Sequence, residues 1–367
     1  MLNFGVGCLN LGIREDYKNN LSPIEFKEIL KKDLGKIKSI NNLEIKESTS
    51  KTYLNKNNKH PNFEEDFIFH PNFFNQEISF TIFIPKRIQD ELLVDEIPDA
   101  QNIELEIFNV FIINEIDIPV CFVSYKIDDE SEYFDASTAL LIVKKYLELE
   151  FHKLKLDITL EVLDPLPLHI DFVLKENTRE YKEKGDFFKH THLYSTAYDE
   201  ITIYYNKSIF KNIDLAFSDL KYSLSEEINI YYSINKLKHE IESRWNFIID
   251  LLDQCEYCID KNPFSLIKKN NLIRKSFKQT TLFKITKSIK THDLHSDYIE
   301  HIKAFPNGIL NSTIKENFES LSEYPIDDII EILRLYESRK NKSLELIIIT
   351  TAAIMGGITG SVLTKLL

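Results

Sequence analysis

Between Leu346 and Thr364 the sequence LIIITTAAIMGGITGSVLT runs nineteen residues without a charge. A helix of that length covers roughly 28 Å, close to the roughly 30 Å hydrocarbon core of a bilayer. Buried helices of this length in water-exposed proteins usually carry some charge, so the stretch predicts a membrane span. Within it Ala352, Gly356, Gly360 and Thr364 recur every fourth residue, with Gly357 and Ser361 alongside. One helical face therefore lacks bulk, and small faces let backbones meet in lipid, where close packing replaces the hydrophobic force between helices. The expectation is self-association into a tetramer or larger ring. Thr359, Ser361 and Thr364 then either line a narrow polar pore or bond back to their own helix.

Orientation follows from the flanks. Arg334, Arg339, Lys340 and Lys342 precede the span and a single Lys365 follows it, a positive-inside asymmetry that places the body in the cytosol. The opening MLNFGVGCLNLGI is apolar but has no basic n-region and no small-residue cleavage site, so it reads as neither signal peptide nor span. The expected location is the inner (cytoplasmic) membrane, single-pass, with the N-terminus cytosolic.

A chain of 367 residues exceeds what one hydrophobic core usually holds and implies more than one domain. The expected fold is an α+β, mixed-sheet domain over 1–176, a connecting region over 177–224, a helical stalk domain over 225–342 and a C-terminal transmembrane helix over 343–367. In the first domain Ile24–Ile37 and Ala136–Leu154 have helical apolar spacing. Ile78–Pro85, Ile103–Ile113, Val120–Ile127, Leu156–Val162 and Leu168–Leu174 read as strands, with another at Glu200–Tyr205. Alternation of Ile103, Leu105 and Ile107 with Glu104 and Glu106 implies one wet sheet face. Asn41–Lys59 is polar and reads as a loop, HPNF repeats at His60–Phe63 and His70–Phe73, and Asn177–Lys189 reads as a linker or exposed loop. Ser225-Glu226-Glu227 is expected to open a long helix in which Ile234, Ile241, Ile248 and Cys255 recur every seven residues. A last helix starts at Pro325 and runs toward the span.

Net charge is −13, which disfavours a dedicated nucleic-acid binder as a whole, but the sign is unevenly spread. Residues 261–290 hold nine basic side chains and no acidic one. Among them Lys268, Lys269, Arg274, Lys275, Lys278, Lys284, Lys287 and Lys290 interleave with Phe264, Phe277 and Phe283. Three readings stay open: a face resting on anionic lipid, a cradle for a nucleotide or short oligonucleotide, or a helix face neutralised by the acidic Asp90–Asp135 segment. Cys255 and Cys258 with His292 and His295 have zinc-ligand chemistry, although the CxxC sits on an amphipathic helix where both thiols could be core. His190 and His192 could join Asp171 or Asp199 as metal ligands or a hydrolytic pair. No glycine-rich phosphate loop, HExxH or nucleophile elbow is present, so neither an enzyme nor a cofactor is expected.

A cytosolic α/β domain leading through a stalk into one small-faced span resembles, in layout, the membrane effectors of bacterial anti-phage systems. That resemblance implies a ligand-gated channel or pore in abortive-infection defence, controlled by a nucleotide or oligonucleotide signal. The layout is also similar to CorA-type channels, but GGITG stands where those carry Gly-Met-Asn, so magnesium transport is not implied. The alternative is a tail-anchored adaptor whose cytosolic domain binds a protein partner.

Overall fold

The apolar N-terminal run is a strand. In the computed structural model, which describes residues 1–13, 23–47, 76–93, 105–114, 118–126, 135–177, 187–195, 198–261, 266–339 and positions 341, 342, 345 and 349, β1 spans Leu2–Ile13. Its residues from Leu2 to Gly12 are all buried. A strand covered on both faces reads as a continuous apolar run with no alternation, which is why its sequence carries no period of two.

The described part of the chain divides into two compact units. One contains residues 1–233 and 305–314; the other contains residues 234–304 and those after 314. The first unit is a nine-stranded mixed sheet. Its strands are β1, β2 (Ile40–Glu47), β3 (Gln76–Phe83), β4 (Ile107–Asn114), β5 (Val120–Lys126), β6 (Ile158–Leu163), β7 (Ile170–Glu176), β8 (Phe188–Leu193) and β9 (Asp199–Tyr205), in the order β2-β3-β4-β5-β1-β7-β9-β8, with β6 joined to β1 off that path. All pairings are antiparallel except β7 with β9. The strand β1 divides its length between partners. Leu2–Gly7 pairs with β5, Leu2–Phe4 also with β7, and Cys8–Ile13 with β6.

On one sheet face lie α1 (Pro23–Leu34), α2 (Lys86–Leu93) and α3 (Ala136–Leu154). Leu30, Leu34, Leu140, Val143 and Leu147 meet Leu9, Leu11, Phe80, Ile82 and Val110 in one core. The opposite face is covered by the first half of α4 (Ile213–Lys261), whose Ala216, Leu220, Leu224, Ile228 and Tyr232 form a buried ridge at four-residue spacing. Phe217 beside that ridge reaches Phe4 of β1 at 5.0 Å between ring centroids, and Phe4 stacks on Phe172 at 5.1 Å. Asn212 starts α4, its Oδ1 accepting the Leu215 N–H at 2.9 Å, whereas Ser225 lies inside the helix with its hydroxyl bonded back to the Tyr222 carbonyl. The helix therefore begins twelve residues before the expected Ser225-Glu226-Glu227 start.

The second unit is helical. The rest of α4 packs with α5 (Leu266–Ala304) and α7 (residues 326–339) around Leu237, Ile241, Ile248, Leu252, Phe283, Ile329 and Leu333; between the last two helices in sequence lies α6 (Asn311–Glu319). Ile234, Ile241, Ile248 and Cys255, spaced by seven, are all buried.

The expected fold class is corrected at its C-terminal element. No helix among the described residues is long and apolar enough to cross a membrane. The longest helices, α4 and α5, carry charged stripes along their length, the pattern of bundle members half in water. The architecture is a mixed sheet with helices, α+β, plus a helical unit. Apart from Ile349, the stretch 346–364 lies outside the described residues. So do Ala352, Gly356, Gly357, Thr359, Gly360, Ser361 and Thr364, and the two HPNF segments. Two smaller differences follow from burial. Residues 41–47, expected in a loop, form with Ile40 an edge strand. In β4 the inward set is Phe108, Val110 and Ile112, so Ile107 stands 55% exposed on the opposite side.

Gly5 and Gly7 are where α3 meets β1. A Cβ on Gly5 would overlap the Ala136 backbone carbonyl, and one on Gly7 would overlap the side chains of Leu166 and Leu140. A Cβ on Gly12 would meet only side-chain atoms of Glu161 and Thr159. Gly5→Ala is therefore expected to lower unfolding free energy by about 3 kcal/mol and Gly12→Ala by less than about 1 kcal/mol, read by urea denaturation. Equal losses at the two positions would contradict this packing.

Candidate functional site

Several of the residues expected to carry chemistry serve the fold. Asp171 on β7 is buried beneath the start of α3, and its Oδ1 accepts the Ser137 N–H at 2.7 Å. Asp135, the residue before α3, makes no side-chain cap, so the carboxylate that satisfies this helix end comes from another strand. Burial pushes the Asp171 carboxyl up to about 6, against the pull of the Ser137 hydrogen bonds. Asp171 is thus separate in role from the histidines, and Asp199 joins one of them, His192. His192 Nε2 lies 3.0 Å from Asp199 Oδ2, and Asp199 Oδ1 accepts the Ser195 N–H at 2.9 Å. The His192 ring also stacks on Tyr194 at 4.0 Å. Burial, and then the neighbouring His192, lower the His190 pKa. This arrangement ties together the β8–β9 turn, and no group of three or more metal-ligating side chains occurs among the described residues.

The zinc set does not assemble. Cys255 is buried in the bundle with its Sγ 3.5 Å from Ser276 Oγ. His292 and His295 stand sixteen or more residues further along the same unbroken helix, α5, which at 1.5 Å per residue is roughly 24 Å away. The Cys258 side chain lies outside the described residues. His295 instead packs on Phe318 at 5.3 Å between ring centroids.

The basic segment divides by helical angle. At 100° per residue Lys269, Ile273, Ser276, Thr280 and Phe283 point into the bundle, and all five are buried. On the flanks, Lys284 Nζ pairs with Asp327 Oδ1 at 2.8 Å and Lys290 Nζ pairs with Glu240 at 2.6 Å. Lys287 Nζ donates to the Ser322 carbonyl at 3.0 Å and sits 5.0 Å from the Tyr324 ring centroid. In the small crevice between α4 and α5 lined by Glu240, Arg244, Phe283, Lys287 and Lys290, Glu240 accepts from both Arg244 and Lys290. Of the others, Lys268, Arg274, Lys275 and Lys278 lie exposed on one outer face about 120° wide. Further along that face stand Ile285 and Ile289, 51% and 55% exposed.

Two of the interleaved phenylalanines are not on that face: Phe283 is buried in the bundle and Phe277 packs against its core, while Phe264 lies outside the described residues. An aromatic group beside the basic face comes from α4, and a second is exposed on the same side of that helix. Phe247 is 42% exposed and Tyr257 is 62% exposed, and Lys275 Nζ stands 5.3 Å from the Phe247 ring centroid. The signal was in the sequence, because Ser243, Phe247, Asp250, Gln254 and Tyr257 repeat at helical spacing on the side of α4 opposite its buried heptad positions.

No protein-family model, curated protein or solved structure matches this chain.

The raised Asp171 pKa sets a pH dependence. A carboxyl whose folded value lies above its unfolded value contributes stability that is lost as pH rises from about 4 through about 6. Asp171→Asn keeps the acceptor for Ser137 without the buried charge. Relative to wild type, the variant should gain on the order of 2 kcal/mol between pH 4.5 and 7.5 in urea denaturation. A pH-independent difference between the two proteins would contradict the buried carboxylate.

Proposed function

We propose that this chain is a non-enzymatic effector whose state is set by an anionic ligand, a nucleotide or oligonucleotide, seated on the outer face of α5. The observation that carries the reading is the placement of charge. Lys268, Arg274 and Lys278 point outward with no acidic partner among the described residues, while Lys284 and Lys290 are spent on Asp327 and Glu240.

Helix electrostatics supports the same reading. The first turn of α5 contains no acidic residue and carries Lys268 and Lys269, where the helix dipole favours negative charge. The outward one, Lys268, costs roughly 0.3–1 kcal/mol there, a local conflict that an anion on this face relieves, whereas Lys269 is turned into the bundle. The structural use of Asp171 as a helix cap and of Cys255 as core favours binding over catalysis, because the most chemically suggestive side chains are already committed.

The test is fluorescence anisotropy of a labelled oligothymidylate with the full chain between roughly 50 and 300 mM salt. Three or four phosphate contacts predict that log affinity falls against log salt with a slope of about −2 to −3. The double reversal Arg274→Glu, Lys278→Glu is expected to weaken binding at least about tenfold, while Lys284→Ala has a smaller effect. Salt-independent affinity, or binding untouched by the double reversal, would overturn the proposal.

A further inference from the structure

The outer surface of the α4–α5 hairpin is chemically divided along its length. On the α5 side stand Lys268, Arg274, Lys275 and Lys278; on the α4 side stand Phe247 and Tyr257 with Asp250 between them and Asp253 beside them, all exposed. The Lys275 ammonium over the Phe247 ring shows that the two stripes adjoin. Phe247 and Tyr257 lie about 15 Å apart along α4, and the α5 face from Lys268 to Ile289 runs about 32 Å.

From this division we infer that the ligand is a single-stranded oligonucleotide whose phosphates track α5 while its bases stack on Phe247 and Tyr257. The inference rests on the proposal that the outer face of α5 takes an anionic ligand, and it names that ligand's class. Proteins that hold single strands combine a basic track with exposed aromatic rings, since every base has a π-face and stacking tolerates any sequence. A mononucleotide reaches only one of the two rings. A duplex keeps its base faces inside the stack and offers neither ring a partner.

An anionic membrane is the competing occupant, given Ile285 and Ile289 on the basic face. The acidic side chains decide between the two. A lipid surface covering the hairpin would press Asp250 and Asp253 against negative headgroups. A single strand separates its charge from its bases, so the phosphates stay over α5 and the neutral rings lean over α4.

The experiment compares four probes on the full chain: a labelled oligothymidylate, a duplex of the same length, inorganic polyphosphate of matched charge, and vesicles of phosphatidylglycerol with phosphatidylcholine. The expected result is tightest binding of the single strand. Phe247→Ala and Tyr257→Ala should each cost about tenfold in its affinity, with polyphosphate affinity unchanged and Phe247→Trp close to wild type. Both positions are exposed, and circular dichroism checks that the variants fold. Equal affinity for polyphosphate and single strand, unaffected by the alanine variants, overturns the stacking inference but leaves the anionic face standing. No binding of either, or binding insensitive to Arg274→Glu with Lys278→Glu, overturns both. Vesicle binding lost in Ile285→Asp, with no oligonucleotide binding, also overturns the inference in favour of lipid.

Discussion

The first unit depends on one strand being tolerable from both sides. On one face of β1 the absence of side chains at Gly5 and Gly7 lets α3 settle against the backbone; on the other, Phe4 fills the space between Phe122, Phe172 and Phe217. Replacing void with bulk on the first face or bulk with void on the second disturbs a different helix in each case. Because β5, β6 and β7 all take hydrogen bonds from β1, its position sets the register of three further strands.

Buried carboxylates give the unit a second set of constraints. Asp33 Oδ2 accepts the Asp157 N–H at 2.7 Å, joining the end of α1 to the segment after α3. Glu227 of α4 accepts the N–H groups of Ile309 and Leu310, just ahead of α6, and burial pushes its carboxyl up to about 7 against those bonds. Together with Asp171, these contacts satisfy backbone donors at helix ends or turns with acceptors remote in sequence. Each removes an orphan donor from an apolar setting and fixes where the connection crosses. A local capping residue would do only the first.

Most strands and helices with a clear apolar period were legible from sequence, including α3 and the heptad positions of α4. What escaped reading has physical causes in particular residues. In β1 both faces are buried, so no alternation exists to find. In β2, an edge strand, Asn41, Asn42 and Glu44 face water and mimic a loop. The Ser225-Glu226-Glu227 triplet looks like a helix start, yet the four-residue ridge from Ala216 continues straight through it. At the candidate site the basic segment was visible as composition, but composition does not say which bases turn inward. Only the packing separates Lys269, Lys284 and Lys290 from Arg274 and Lys278, and it moves the aromatic partners from α5 to α4.

The connectivity of β1 also orders events during synthesis. It is made before every strand it pairs with, and Leu2 has to wait for Leu174. At typical elongation rates that interval is on the order of ten seconds. Until β5 emerges the segment LNFGVGCLNLGI is a charge-free, strand-prone stretch without its first partner, and its β7 side stays open until the interval ends. Natural edge strands protect themselves with lysines, prolines or bulges, and β1 has no charged residue or proline because its final place is interior. Over that interval β1 can pair with a strand of a neighbouring chain before β7 arrives, a hazard that grows with the local concentration of nascent chains.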